Sequence, residues 1–299
     1  MTNQTNVWLG TLVLVLTLLV SVPVAQASGL APMRFTVTVE GQGPDVIMIP
    51  GLASSADVWR PAAEKLKARY RVHLIQVSGF AGTPARANAS GPMLVPLRDE
   101  IIAYIRANKL DRPTIVGHSL GGLMALMIAD AANDAAGRLV IVDALPFYGM
   151  LMGPTATVES VTPAAAQMRD KVKAQSPADY AAGQTKTMAI LVKSKGPTSD
   201  AATKASQTSD PAVVAQAMYE DFITDMRPRL GSIKAPTLVL YAYDPSMGIP
   251  QPAMDGLYQS AYAAMPSKKL VRIDGSYHFI QIDQPEAFER ELAAFLTAR

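Results

Sequence analysis

At 299 residues, 49% of them apolar and 17% charged, the chain has the material for a large buried core and is not a disordered polymer. A formal net charge of +2 without a dense basic cluster leaves no electrostatic footprint for nucleic acid, so no nucleic-acid partner is expected. The absence of cysteine excludes disulfides, a thiolate nucleophile and thiolate metal sites, and the histidines His73, His118 and His278 lack H-x-x-x-H spacing, so neither metal nor cofactor is expected.

The first element in chain order is a targeting segment. Residues 7–20 are apolar apart from Gly10, Thr11 and Thr17, and Ala25-Gln26-Ala27 fits a small-x-small cleavage site. Residues 1–27 are therefore expected to be a signal peptide, which makes the body periplasmic or secreted and free of the membrane after cleavage. Residues 1–6 carry no Lys or Arg, which fits a leader poorly, and an uncleaved anchor over residues 7–25 is the competing expectation.

Beyond the leader, strands alternate with helices. Residues 34–40 alternate polar and apolar side chains as a strand does, a turn follows at residues 41–44, and residues 45–49 form a buried strand ending at Pro50-Gly51. A helix is predicted over 56–69, a strand over 70–77, a helix over 95–108, a strand over 113–118 and a nearly all-apolar helix over 120–132. Strands over 138–142, 237–243 and 269–273 and helices over 252–264 and 285–298 complete the series. This alternation predicts an α/β fold with a mainly parallel central sheet covered by helices on both faces. Residues 146–230, rich in Ala, Thr, Ser and Lys, break the rhythm and are expected to be a helical cap on a core of residues 28–145 and 231–299. The polar tract over 193–210 is expected to be a mobile loop.

At the centre of the sheet the run Gly117-His118-Ser119-Leu120-Gly121 has the G-x-S-x-G pattern of a nucleophile elbow. A serine hydroxyl is a weak nucleophile unless a sharp strand-to-helix turn holds it out to a base, and glycines on either side let strand and helix approach. His278 is the expected base, on a loop after the strand ending at Ile273 and at the same carboxyl edge as Ser119. His73 and His118 are read as structural, the latter facing away from Ser119. Two carboxylates stand at strand ends. Asp244 is favoured as the orienting acid because its strand should neighbour the one leading to His278, and Asp143 is the alternative acid, otherwise bracing the insertion. Asp274 is too close to His278 in sequence to turn back onto its ring. The oxyanion hole is expected from the amides of Leu52 and Leu120.

Together with Ser78-Gly79-Phe80-Ala81-Gly82 and Gly275-Ser276-Tyr277-His278-Phe279, these motifs make residues 33–299 resemble the α/β-hydrolase fold superfamily, as a capped member with a serine nucleophile. Many relatives carry His-Gly where this chain has Pro50-Gly51, which keeps the amide donor but loses any role of that histidine side chain. A serine at position 119 separates the chain from the haloalkane dehalogenases and epoxide hydrolases of the same fold. The resemblance implies a small-molecule substrate and hydrolysis of a small to medium hydrophobic carboxylic ester through an acyl-enzyme. Carbon–carbon bond hydrolysis, aminopeptidase action, perhydrolysis and a non-catalytic binding role remain alternatives. Met150, Met152, Met168, Met188, Met218 and Met226 give the cap adaptable apolar surface, to line an acyl site or to pack the cap on the core.

Overall fold

The computed structural model describes Met1 and residues 32–153 and 155–298. The expected signal peptide over residues 1–27 lies outside the described residues. Seven strands form one sheet: β1 (Phe35–Glu40), β2 (Asp45–Ile49), β3 (Arg71–Val77), β4 (Thr114–His118), β5 (Arg138–Val142), β6 (Thr237–Tyr243) and β7 (Lys268–Asp274), in the order β1-β3-β2-β4-β5-β6-β7. β1 is antiparallel to β3 and every other pair is parallel. The helices between strands are α1 (Arg60–Leu66), α2 (Leu94–Ala107) and α3 (Leu120–Ala131), then α4 (Val158–Lys173), α5 (Pro177–Leu191), α6 (Pro197–Thr208) and α7 (Pro211–Ile223) between β5 and β6, and α8 (Gln251–Ala261) between β6 and β7; α9 (Ile280–Asp283) and α10 (Pro285–Thr297) follow β7.

The central strands are apolar throughout because both faces are covered. Alternation then sorts their side chains. Ile47, Ile49, Ile115, Leu139, Ile141 and Val239 pack against α2, α3 and α8 on one face, while Val46, Met48, Val116, Val140, Leu238 and Leu240 pack against α1 and α10 on the other. Each such fully buried aliphatic side chain stabilises the fold by about 1.5–3 kcal/mol relative to exposure. α3 runs beneath the sheet centre and is buried on nearly every side, from Leu120 to Ala129.

The insertion between β5 and β6 is helical, with local reasons for each start. Thr157 and Ser160 form a reciprocal capping box on α4, Ser176 caps α5 ahead of Pro177, and Asp210 accepts the amides of Ala212 and Val213 at the start of α7. The tract over 193–210 corrects the expectation of a mobile loop, because residues 197–208 form α6. Its hydroxyls do not compete with the helix: Ser199, Thr203 and Thr208 each bond a carbonyl three or four residues back, while Ala202 and Ala205 are buried. Among the described residues no helix is long and apolar enough to cross a membrane.

Candidate active site

The elbow is as tight as its glycines require. Ser119 sits between β4 and α3 at φ 52°, a conformation that costs a non-glycine residue free energy and persists only where the surroundings enforce it. A Cβ at Gly117 would lie 2.0 Å from the Gly121 carbonyl oxygen, and one at Gly121 would lie 2.3 Å from that of Ile49. The amide of Ser119 is fixed to the Val142 carbonyl at 2.9 Å. Leu120, first residue of α3, has an amide with no preceding helical carbonyl to bond, at the positive end of the helix. The Pro50-Gly51-Leu52 turn lies directly against this elbow, since a Cβ at Gly51 would stand 2.8 Å from His118 Nδ1 and 3.1 Å from Ser119 Cβ.

The His278 loop folds back across the sheet edge. The amides of Gly275 and Ser276 both donate to the Tyr243 carbonyl, at 2.8 and 3.3 Å, so the loop crosses the end of β6 and carries His278 on towards β4 and β5. There its Nδ1–H donates to Asp143 Oδ2 at 2.7 Å. Among the described residues its Nε2 has no protein hydrogen-bond partner, and a neutral ring that gives its Nδ1–H to Asp143 presents its lone pair at Nε2.

This geometry corrects the choice of acid: Asp143, the alternative, holds His278, and Asp244 does not. The buried carboxylate of Asp244 is engaged elsewhere. It accepts the Ser246 amide at 2.9 Å, bonds the Ser246 hydroxyl and forms an ion pair with Lys193 of the insertion. That ammonium first, and Ser246 after it, hold the Asp244 carboxyl down at about 2. Asp143 ends β5, beside the strand that leads to Ser119, and adopts φ 46°. Its Oδ1 is also satisfied, by the Ala242 amide at 2.8 Å and the Tyr258 hydroxyl at 2.9 Å.

His118 contacts His278. Its Nε2–H donates to the His278 carbonyl at 3.0 Å, the two rings lie 4.6 Å apart, and Phe279 covers it at 4.5 Å. Burial, reinforced by the proximity of His278, pushes its pKa well below the usual histidine value, so it remains a neutral donor. His73 is remote from this edge: Asp45 and Tyr104 bond its two nitrogens at 2.9 and 2.7 Å. On the insertion side Tyr148 lies within electrostatic reach of Asp221 and Asp143, and burial, then these carboxylates, push its hydroxyl up to about 12. Among the described residues no cluster of three or more His, Asp or Glu is placed to hold a metal ion.

A family profile described as "Alpha/beta hydrolase family" matches residues 46–291. The chain belongs to this family. A pimeloyl-acyl-carrier-protein methyl ester esterase of Aliivibrio salmonicida is 32% identical to this α/β-hydrolase over 114 residues, 38% of the chain and 41% of that relative. The matched segment thus spans about two-fifths of that relative's length. An esterase of the same name from Edwardsiella ictaluri is 24% identical over 271 residues, covering 85% of this α/β-hydrolase and 94% of the relative. Among solved structures, an esterase from Exiguobacterium antarcticum superposes with a TM-score of 0.74 at 18% identity, over 88% of this chain and 96% of that one. The enol-lactonase from Burkholderia xenovorans superposes with a TM-score of 0.71 at 18% identity over the same shares. The two solved structures share the fold of this chain over most of its length.

Proposed function

We propose that this chain is a serine hydrolase that cleaves a small to medium hydrophobic carboxylic ester through an acyl-enzyme on Ser119. The observation that carries this reading is the bond between His278 Nδ1 and Asp143 Oδ2, made at the edge where Ser119 is held in its strained turn. A carboxylate on Nδ1 directs the Nε2 lone pair to the nucleophile and stabilises the imidazolium that forms.

In the first half-reaction His278 Nε2 takes the Ser119 proton as Oγ attacks the ester carbonyl carbon. The negative charge passes to the carbonyl oxygen, where the amides of Leu120 and Leu52 receive it. Collapse of the tetrahedral adduct breaks the bond to the alcohol oxygen, which leaves with the proton from His278. Water then adds to the acyl-enzyme by the same route, His278 removing its proton and returning it to Ser119, and the carboxylic acid departs. The names of the curated relatives support an ester as substrate, and the apolar surface of the insertion supports a hydrophobic acyl or alcohol group. The apolar segment ahead of Ala27 supports export of this activity from the cytoplasm.

The test is labelling with a fluorophosphonate probe together with turnover of p-nitrophenyl esters of increasing acyl length. Labelling at Ser119, lost in Ser119→Ala, and turnover of the shorter esters are the expected results. A folded protein that takes up no probe, or an alanine variant that still turns over ester, overturns the proposal.

A further inference from the structure

Four backbone amides connect the insertion with the loop that carries His278, one directly and three through a shared carboxylate. Asp283, 9% exposed at the end of α9, accepts the amide of Lys193 at 3.1 Å and that of Ser194 at 2.8 Å, both from the connection between α5 and α6. Its Oδ2 also accepts the amide of Tyr277 at 2.9 Å, immediately before His278. The fourth, the Phe279 amide immediately after His278, donates to the Leu191 carbonyl at 3.3 Å. The residues on both sides of the base are therefore fastened to the insertion rather than to the sheet alone. Lys193 reinforces the junction through its ion pair with Asp244, and Tyr277 through its hydroxyl, 2.7 Å from that of Ser246.

We propose that Asp283 is a positioning residue for the base: it clamps the α5–α6 connection onto the His278 loop, so that the seating of the insertion sets where the imidazole stands. This rests on the serine-hydrolase reading above. The physical argument is one of geometry and desolvation. A buried carboxylate that accepts backbone amides is strongly held, with charge-assisted bonds stronger than neutral ones. The loop between Gly275 and Phe279 is also tied at its first residues to Tyr243 and Gln284 and at His278 itself to His118 and Asp143. Releasing Tyr277 lets the loop relax, and a shift of about 1 Å at a reacting group is enough to cost on the order of 10²-fold in rate. Such a loss falls on kcat, because the clamp touches no substrate.

The experiment compares wild type with Asp283→Asn and Ser194→Pro, the second removing one amide donor from the insertion side and leaving the carboxylate in place. Steady-state kinetics on p-nitrophenyl butyrate across pH, the fluorophosphonate labelling rate and the melting temperature are measured for each. Asp283→Asn is expected to lower kcat and the labelling rate by about 10-fold or more, with KM within about 3-fold of wild type and the acid limb of the kcat/KM profile displaced. Ser194→Pro is expected to act in the same direction with a smaller loss, and it decides the matter if Asp283→Asn does not fold. Folded variants with wild-type kcat, labelling rate and pH profile overturn the clamp, as does a loss confined to melting temperature. A wild-type chain that labels but turns over no ester defeats the ester reading alone, and the labelling rates then decide the clamp. A wild-type chain that does neither removes the catalytic reading and the clamp with it.

Discussion

The Tyr258 hydroxyl stands 2.9 Å from Oδ1 of Asp143, so the carboxylate oxygen that does not face His278 is also held. The phenol comes from α8 and the carboxylate from the end of β5, so the bond ties that helix to the sheet at Asp143. Tyr258→Phe deletes this bond without changing the ring's stacking on Tyr241, 4.4 Å away. A fall in kcat of about 3–10-fold with unchanged KM is expected, only part of the about 1.5–3 kcal/mol that a hydrogen bond to a charged group is worth, because the Ala242 amide still holds Oδ1. Steady-state kinetics on a p-nitrophenyl ester measure it.

The two strand-end carboxylates should separate cleanly. Asp143→Asn puts an amide on His278 Nδ1 and favours the wrong tautomer, with an expected loss of about 10²–10⁴-fold in kcat. Asp244→Asn leaves the imidazole's partner untouched and should retain kcat within about 10-fold, the loss coming from the weakened junction with Lys193. Reversal of this order in parallel assays would restore Asp244 as the acid.

Asp221 gives a stability prediction with a definite sign. It is 7% exposed, no donor bonds it among the described residues, and burial pushes its carboxyl from 3.8 up to about 7. Folded chains therefore keep this proton where unfolded chains have released it, and between about pH 4 and pH 7 stability falls as pH rises. The loss is complete above the folded pKa and is at most about 4 kcal/mol, at 1.36 kcal/mol per unit. Asp221→Asn cannot ionise, so its melting temperature relative to wild type should rise between pH 5 and pH 8. Parallel melting curves that keep a constant gap across that range contradict it.

At the turn opposite the elbow, Gly51→Ala introduces a methyl group 2.8 Å from His118 Nδ1 and 3.1 Å from Ser119 Cβ. Relieving these contacts changes the placement of the Gly51-Leu52 backbone relative to Ser119. Removing an oxyanion donor typically costs ~10²–10³ in kcat, and a displaced one should cost a comparable amount, with little change in KM. Wild-type kcat in the alanine variant would remove Leu52 from the oxyanion role.

Much of this architecture is legible in the residues. Continuous apolar strands, an all-apolar helix after Ser119 and glycines at 117 and 121 announce a parallel sheet with a tight turn at its centre, because each pattern has a single steric or solvation cause. The acid was not legible in the same way. Asp143 and Asp244 both follow apolar strands, and the choice depends on the path of the His278 loop over Tyr243, a tertiary fact with no local signature. The clamp at Asp283 was equally hidden, since its partners are backbone amides 89 and 90 residues away. α6 is hidden in the sequence because Ser and Thr raise the expectation of a loop, whereas here their hydroxyls turn back onto the helix itself. A better signal was present in Pro197, which suits a first helical turn, followed by Ala201, Ala202 and Ala205.

Asp143 also marks the point at which the polypeptide leaves the sheet for its four-helix insertion. Exchanging that insertion for one of another size or shape therefore strains the histidine's carboxylate partner within a few bonds of the splice, and a graft made before Ala144 would disturb proton transfer before it altered selectivity. The turn after β6 does not hold the imidazole's partner, but its Asp244 and Ser246 meet Lys193 and Tyr277, so lengthening it must keep both contacts.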